Sequence, residues 1–309
     1  MIFVLSFLLF LGGFIYGMYL LRYGLFNLST NSLRKRLINL TNTYWKGILV
    51  GIFITALFQN GSIVMVITVA FVAARLLTFP QSIGIILGTN IGTSINIEMI
   101  TIDLQAYFIL LAFIGAILCF IKNRNSISIG YVLIGLSLVF GALWGFEMIA
   151  LPISELNYVH DMFLNLDHNR LLAILTGTVF IAIVQSISEL SGITMDILLA
   201  GGIDLSTGAG LILGGNIGAC ITVLIAAIGS GKKAQLTAFA YTWLNVLGVA
   251  LFYPLIDLLV FIGSNLSVHP DIQLSHINVI FNVVVSLLVL PFLNQFGSLI
   301  RKVHFKKWI

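Results

Sequence analysis

The stretches GILVGIFITALFQNGS (47–62) and AILTGTVFIAIVQSIS (173–188) lie 126 residues apart and align without a gap, as do GIILGTNIGTSI (84–95) and GLILGGNIGACI (210–221). Over the 51 pairs from 47/173 to 97/223, 17 are identical. Chance similarity between apolar segments would match Leu, Ile and Val. Here Gln59/Gln185, Ser62/Ser188, Thr68/Thr194, Gly88/Gly214, Asn90/Asn216 and Gly92/Gly218 match as well. The chain therefore contains an internal repeat. FLLFLGGFIYGM (7–18) resembles SLVFGALWGFEM (137–148) in its Gly-x-x-x-Gly spacing and extends the relation upstream.

The surroundings of the repeat say what solvent it lives in. Of 309 residues 59% are apolar and 8% charged, against about 25% charged in soluble domains. So few charges cannot coat a globule of this size, which excludes an ordinary soluble enzyme; a lipid-facing surface needs no such coat. With about 20 residues per spanning helix, the chain reads as a single all-helical transmembrane domain over residues 1–309. The N-terminus has no basic leader and no small-residue cleavage site, so it reads as a first span. Cys119 and Cys220 lie far apart in apolar runs and read as packing residues.

Basic residues cluster at Arg22–Lys46, Lys122–Arg124, Lys232–Lys233 and Arg301–Lys307, and acidic residues fill the gaps between. The positive-inside rule then makes the basic clusters cytoplasmic, with the N-terminus outside and the C-terminus inside, as a multi-pass protein of the plasma membrane. Lys and Arg form no stripe, so nucleic acid is not an expected partner. On this topology residues 46–98 and 170–232 cross in opposite directions. The expected architecture is two inverted-topology repeats (about 5–105 and 130–231), a linking helix at 106–121, and closing helices over 234–300. Inverted repeats suit a transporter, because two similar halves can exchange conformations around a site at mid-depth.

Within each repeat the apolar run is interrupted at Gln-(Asn/Ser)-x-Ser and again at Gly-(Thr/Gly)-Asn-Ile-Gly, leaving pieces of about 12 to 16 residues. Such pieces are too short to span, so broken or re-entrant helices are expected. Their exposed backbone groups belong only where they line a cavity or meet a ligand. Gln59, Asn60, Ser62, Gln185, Ser186 and Ser188 would place amides and hydroxyls at helix starts whose N–H groups attract an anion. Asn90, Thr93, Asn216 and Thr222, with carbonyls released by an unwound turn, would suit Na⁺. Gly88/Gly92 and Gly214/Gly218 also satisfy plain helix packing. Glu189 and Asp196 are ionisable residues seven apart on one helix face; Glu189 is the expected coupling-ion group. Asp204 reads as a helix cap. The external His160, Asp161, Asp167 and His168 read as a solvated loop, and the four tryptophans mostly as interface anchors.

These motifs resemble those of the sodium-dependent phosphate cotransporter family, whose repeats each carry Gln-Ser-Ser-Ser followed by Gly-Ala-Asn-Ile-Gly-Thr-Thr. YTWLNVLGVALFYPL (241–255) and NVIFNVVVSLLVLPF (278–292) are similar to the family's closing segments, with Asn245 and Asn282 matching and Tyr241 and Asn278 standing where His is usual. The resemblance implies inorganic phosphate, or a similar small anion, held between the two Gln-Ser motifs and driven by sodium, with no cofactor. The departures, Asn60-Gly61 in the first motif and Ile187 and Glu189 in and after the second, leave two alternatives: a proton- or sodium-coupled carrier of another small solute, or a non-transporting member. An intramembrane enzyme is disfavoured, since no His-Asp, His-Ser or metal-ligand set recurs within the predicted spans. The sequence leaves open whether the chain works alone or as a homo-oligomer.

Overall fold

The computed structural model describes residues 2–28, 31–58, 60–93, 107–154, 157–166, 169–185 and 187–305, and the side chains of these except 2–4, 31–33, 150–154, 157–160, 188–189 and 271. The described residues are helical throughout: α1 (Ile2–Leu28), α2 (Asn31–Thr41), α3 (Tyr44–Phe58), α4 (Gly61–Ala73), α5 (Phe79–Gly92), α6 (Phe108–Phe120), α7 (Arg124–Ser154), α8 (Asn157–Leu164), α9 (Arg170–Val184), α10 (Ile187–Leu199), α11 (Leu205–Gly218), α12 (Cys220–Ala226), α13 (Lys232–Phe252), α14 (Ile256–Leu266), α15 (Pro270–Val289) and α16 (Leu293–His304). Among the described residues, five helical stretches are long and apolar enough to cross a membrane: Leu5–Leu28, Arg124–Ile149, Leu205–Ala226, Lys232–Leu266 and Ile272–His304. The protein is a multi-pass membrane protein.

The repeat is visible in the helix boundaries. α9, α10 and α11 begin and end 126 residues after α3, α4 and α5, at all six boundaries. The pieces are 15, 13 and 14 residues in both copies, the lengths expected from the interrupted apolar runs. A second internal likeness joins the closing helices. Each is interrupted by a 3-10 turn with proline at its centre, Tyr253–Leu255 and Leu290–Phe292, because proline removes a donor from the helical ladder.

The chain divides into two compact units. Unit 1 holds Met1–Gly145, Val223–Tyr241 and Val289–Ile309; unit 2 holds Phe146–Thr222 and Thr242–Leu288. Each unit therefore takes one helix triplet, the first half of one closing helix and the second half of the other.

In unit 1, α3 and α5 pack through glycine. A Cβ on Gly47 would sit 3.2 Å from the Cα of Gly84, one on Gly51 2.9 Å from that of Gly88, and one on Gly92 2.7 Å from the Cβ of Thr55. These pairs advance together along both helices, so α3 and α5 are parallel and α4 must run back between them. At 1.5 Å per residue α3 is about 22 Å long, short of the roughly 30 Å hydrocarbon core. The α3–α4 pair is thus a helical hairpin whose second helix runs back towards the start of the first. Unit 2 repeats the seam: Gly210 meets Ala173, Gly214 meets Ile174 and Gly218 meets Thr178 and Ile181. Phe163, Phe180, Leu190, Ile197 and Leu211 close the core behind it. Elsewhere in unit 1, α1 packs antiparallel on α7, with Gly17 against Leu138 and Gly24 against Val132.

Two local features set the triplets' ends. Gln81 Oε1 accepts from the Thr78 N–H (2.9 Å) and hydroxyl (2.7 Å) at the start of α5, while Asp204, at the matching place, caps α11 by accepting from the Thr207 N–H at 2.7 Å. Asp204 is the helix cap it was read as. The turn after α4 holds Arg75 at φ 61°, and its counterpart Gly201 has φ 74°. A left-handed conformation costs a residue with a Cβ about 1–2 kcal/mol, so Arg75→Gly should leave unfolding stability unchanged or raise it by up to about 1 kcal/mol. Thermal unfolding in detergent would check this, and a lowered midpoint would refute it.

The first residue of each triplet is tied to the helix that follows a proline turn. In unit 2 Arg170 Nη1 donates to Asp257 Oδ2 at 2.9 Å, Nη2 pairs with Oδ1, and Nε donates to Ser206 Oγ at 2.9 Å. In unit 1 the equivalent tie is neutral, Tyr44 donating to Asn294 Oδ1 at 2.7 Å. The Asp257 side chain is 71% exposed, so solvent screens the pair despite its two-pronged geometry. Arg170→Ala should therefore cost only about 1 kcal/mol, and less in molar salt; Tyr44→Phe should show no salt dependence. Melting curves at low and high salt separate the two.

Candidate functional site

The breaks in the two triplets are where the sequence analysis places the chemistry. In unit 1 Asn60 is extended (φ −137°, ψ 102°), and its side-chain oxygen accepts from the Ile63 N–H at 3.1 Å. This caps α4 and leaves the Asn60 amide nitrogen as the donor on that side chain. Gly61, the first residue of α4, is required by close approach: a Cβ there would lie 2.6 Å from Thr93 Cγ2, 3.2 Å from Thr89 Cγ2 and 3.9 Å from the Tyr241 hydroxyl. The start of α4 therefore faces α5 and the first half of α13. The hydroxyl of Thr93 donates to the carbonyl of Asn90 at 2.8 Å, and Asn90 itself is buried. Unit 1 brings Asn60, Asn90 and Thr93 into one neighbourhood with Ser62, half-buried, one residue into α4.

Thr89 and Tyr241 complete that neighbourhood and were missed as site residues. Thr89 is fully buried, and its hydroxyl has no hydrogen-bond partner among the described residues. Burying an unpaired hydroxyl costs about 1–3 kcal/mol, and Thr55, Thr194 and Thr207 in the two triplets share that condition. Thr89 stands opposite Gly215 in the repeat, so the alignment of the two copies does not mark it. Tyr241 was legible only as a departure from His.

In unit 2 Gln185 ends α9 in the left-handed conformation (φ 60°, ψ 14°). Its amide nitrogen donates to the Ala182 carbonyl at 2.7 Å, and its side-chain oxygen accepts a short hydrogen bond from the Thr222 hydroxyl. A residue chosen for the anion and one chosen for the cation thus share a bond. Asn216 has a different set of partners. Its amide donates to the Ile212 carbonyl and to Asn278 Oδ1, both at 3.1 Å, while Asn282 donates to the same Asn278 oxygen at 3.0 Å. Cys220 Sγ donates to the Asn216 carbonyl at 3.3 Å, a packing role for that cysteine.

One expectation is corrected. The Gly-x-Asn-Ile-Gly segments are not unwound: α5 is helical to Gly92 and α11 to Gly218, with Thr93 and Ala219 still in right-handed geometry. The physical reason is the seam described above, where these glycines let α3 and α9 approach to backbone contact. The Gly214 carbonyl accepts from the Thr178 hydroxyl at 3.0 Å. Oxygen for a cation would have to come from Thr and Asn side chains rather than from a broken turn. Gln59 and Ser186 lie outside the described residues, as do the side chains of Ser188 and Glu189. Asp196 is exposed on α10.

Comparison with known proteins follows the same lines. The model of the Na+/Pi-cotransporter family matches residues 14–149 and 143–265. The uncharacterized protein YqeW of Bacillus subtilis is 35% identical over 302 residues, covering 97% of this chain and 98% of that one. YjbB of Escherichia coli, whose name provisionally assigns it the export of inorganic phosphate, is 28% identical over 255 residues, 82% of this chain and 47% of YjbB. Its Salmonella typhimurium counterpart is 26% identical over the same length. The chain thus spans about half the length of the YjbB proteins. No solved structure matches it.

Proposed function

Since the chain belongs to the Na+/Pi-cotransporter family, a family of transporters and not of enzymes, we propose that it carries inorganic phosphate across the membrane by alternating access, in symport with sodium. The observation that carries this reading is the duplicated break: each unit stops a helix at a Gln-x-x-Ser motif and restarts it with N–H groups pointing at the gap. Phosphate needs many donors and no fixed cation, and a helix start supplies donors together with the positive end of the helix dipole. Asn60, Ser62, Gln185, Ser186 and Ser188, with Gln59, would donate to the anion. Thr89, Asn90 and Thr93 in unit 1, and Asn216 and Thr222 in unit 2, supply oxygens for sodium, with Glu189 as the charged coupling group. The N-terminus outside and the C-terminus inside complete the reading.

Purified protein in liposomes, given labelled phosphate and an inward Na⁺ gradient, should accumulate phosphate, and K⁺ substitution should abolish the uptake. Glu189→Gln should preserve or improve phosphate binding while uncoupling it from sodium; loss of binding in this variant would point to a cationic solute instead. The name of YjbB favours outward flux as a second reading. Liposomes preloaded with phosphate and exposed to the opposite gradient test it, and efflux without any Na⁺ dependence would overturn the symport.

A further inference from the structure

Unit 1 carries a groove whose lining includes none of the residues at the Asn60–Gly61 break. It has a volume of about 710 Å³ and lies where the α2–α3 junction, the start of α5 and the 3-10 turn before α16 meet, within the 300–1,000 Å³ typical of small-molecule sites. Apart from the exposed Asn42, its polar side chains are already engaged, Thr43 Oγ1 accepting from the Lys46 N–H at 3.4 Å. Thr41 donates to the Leu37 carbonyl at 2.8 Å, Gln81 donates to Thr41 at 3.0 Å, and Tyr44 donates to Asn294 at 2.7 Å. What the groove offers an occupant is therefore mainly apolar: Trp45, Pro80, Leu290, Pro291 and Leu293. Trp45 is 64% exposed.

The rim has the opposite character. Arg34, Lys35 and Arg36 are exposed on α2, and Arg36 lies about 8 Å along the helix from the groove residue Thr41. Lys46 Nζ reaches back to the Asn39 carbonyl at 3.4 Å. The Arg301 guanidinium sits 5.7 Å over the ring of Phe79, the residue before Pro80. Fourteen of the fifteen Lys and Arg fall in the residues of unit 1, and no Asp or Glu occurs among its described residues. Among the described residues of unit 1, the cations on α2 thus have no carboxylate to neutralise them.

We propose that this groove binds an anionic phospholipid, with an acyl chain against Trp45 and Leu293 and the headgroup phosphate over the cations of α2. A lining that is mainly apolar, with Thr41, Tyr44 and Gln81 already hydrogen-bonded, suits a hydrocarbon chain better than a free phosphate ion, whose burial there would be poorly paired. Basic clusters flanking a membrane segment are the feature that selects anionic lipid. The groove lies at the starts of α3 and α5, where an amphipathic ring such as Trp45 marks the bilayer interface.

The test uses the full chain with Trp144, Trp243 and Trp308 replaced by Phe, so that Trp45 alone reports. It is placed in phosphatidylcholine bilayers containing a minor fraction of either dibrominated phosphatidylglycerol or dibrominated phosphatidylcholine. Trp45 should be quenched several-fold more strongly by the brominated anionic lipid. The triple change Arg34→Gln, Lys35→Gln and Arg36→Gln, on exposed residues, should remove most of that preference and bring the two quenching levels together. Leu290→Asp should also lower it with the α2 cations intact. Equal quenching by both lipids in the parent protein would overturn the proposal. So would a preference that survives Leu290→Asp, which would mean surface charge without a groove. Competition by inorganic phosphate at constant ionic strength would reassign the site to the free ion. None of these readings depends on whether the protein transports phosphate.

Discussion

Gly214→Ala, or Gly88→Ala in the other unit, should strongly destabilise the folded protein. A Cβ on Gly214 would overlap the carbonyl oxygen of Ile174, and one on Gly88 the carbonyl oxygen of Ile48. The obstructing atom is backbone in both cases, so no side chain can rotate away, and the seam between two helices must open along its length. Overpacking that displaces backbone costs about 1–3 kcal/mol and sometimes more. Here one methyl group pushes apart a seam held by several successive glycines, so the upper end of that range applies. The expected result is loss of the monodisperse peak in detergent size-exclusion, or a melting midpoint lowered by several degrees if folding survives. Gly12→Ala and Gly192→Ala are the controls, because a Cβ at either position meets nothing within 4 Å. Equal behaviour of the four variants would refute the glycine seam.

Gln185→Ala should have the largest effect on transport. The side chain makes two hydrogen bonds, to Ala182 and from Thr222, and its loss leaves buried polar groups unpaired at about 1–3 kcal/mol each. Glutamine already holds the left-handed conformation, at about 1–2 kcal/mol for any residue with a Cβ, so alanine adds no strain of its own. The lost donor to the anion, about 1.5–3 kcal/mol for a hydrogen bond to a charged group, predicts a fall in phosphate uptake of roughly 10- to 100-fold at low phosphate. Gln185→Gly separates the contributions. Glycine accepts φ near 60° without strain, so this variant should melt above Gln185→Ala while transporting no better. Thr222→Val, which keeps the shape and removes the hydroxyl, should reproduce part of the loss. If Gln185→Ala transports like the parent, the break in unit 2 does not carry the substrate. If Gln185→Gly restores transport, the backbone conformation matters and the amide does not.

The two predictions bear on different parts of one design. The seam makes each triplet rigid, with α3 and α5, or α9 and α11, in backbone contact. The breaks leave polar groups where the rigid pieces end. A site built on rigid helices holds its donors more closely than one on loops, and Asn60 and Gln185 both belong to helix ends whose own hydrogen bonds orient them.

What the sequence by itself determined is local and periodic. The 126-residue offset, the three short helices per repeat, the break after Gln59 and Gln185 and the cap at Asp204 are set by neighbouring residues: apolar run length, a polar interruption, a side chain able to reach its own backbone. Such features survive in any tertiary setting, and the helix boundaries agree with them in both copies. The role of Gly88 and Gly214 was decided by the fold alone. Glycine permits both an unwound turn and a close approach, and only the arrival of α3 or α9 on that face selects the second. Partners far apart in the chain were equally hidden. Arg170 meets Asp257, 87 residues on, and Gly61 lies under Tyr241, because each closing helix divides its two halves between the two units. Nothing in a residue's immediate neighbours encodes that division, since it depends on which surfaces meet once the helices pack.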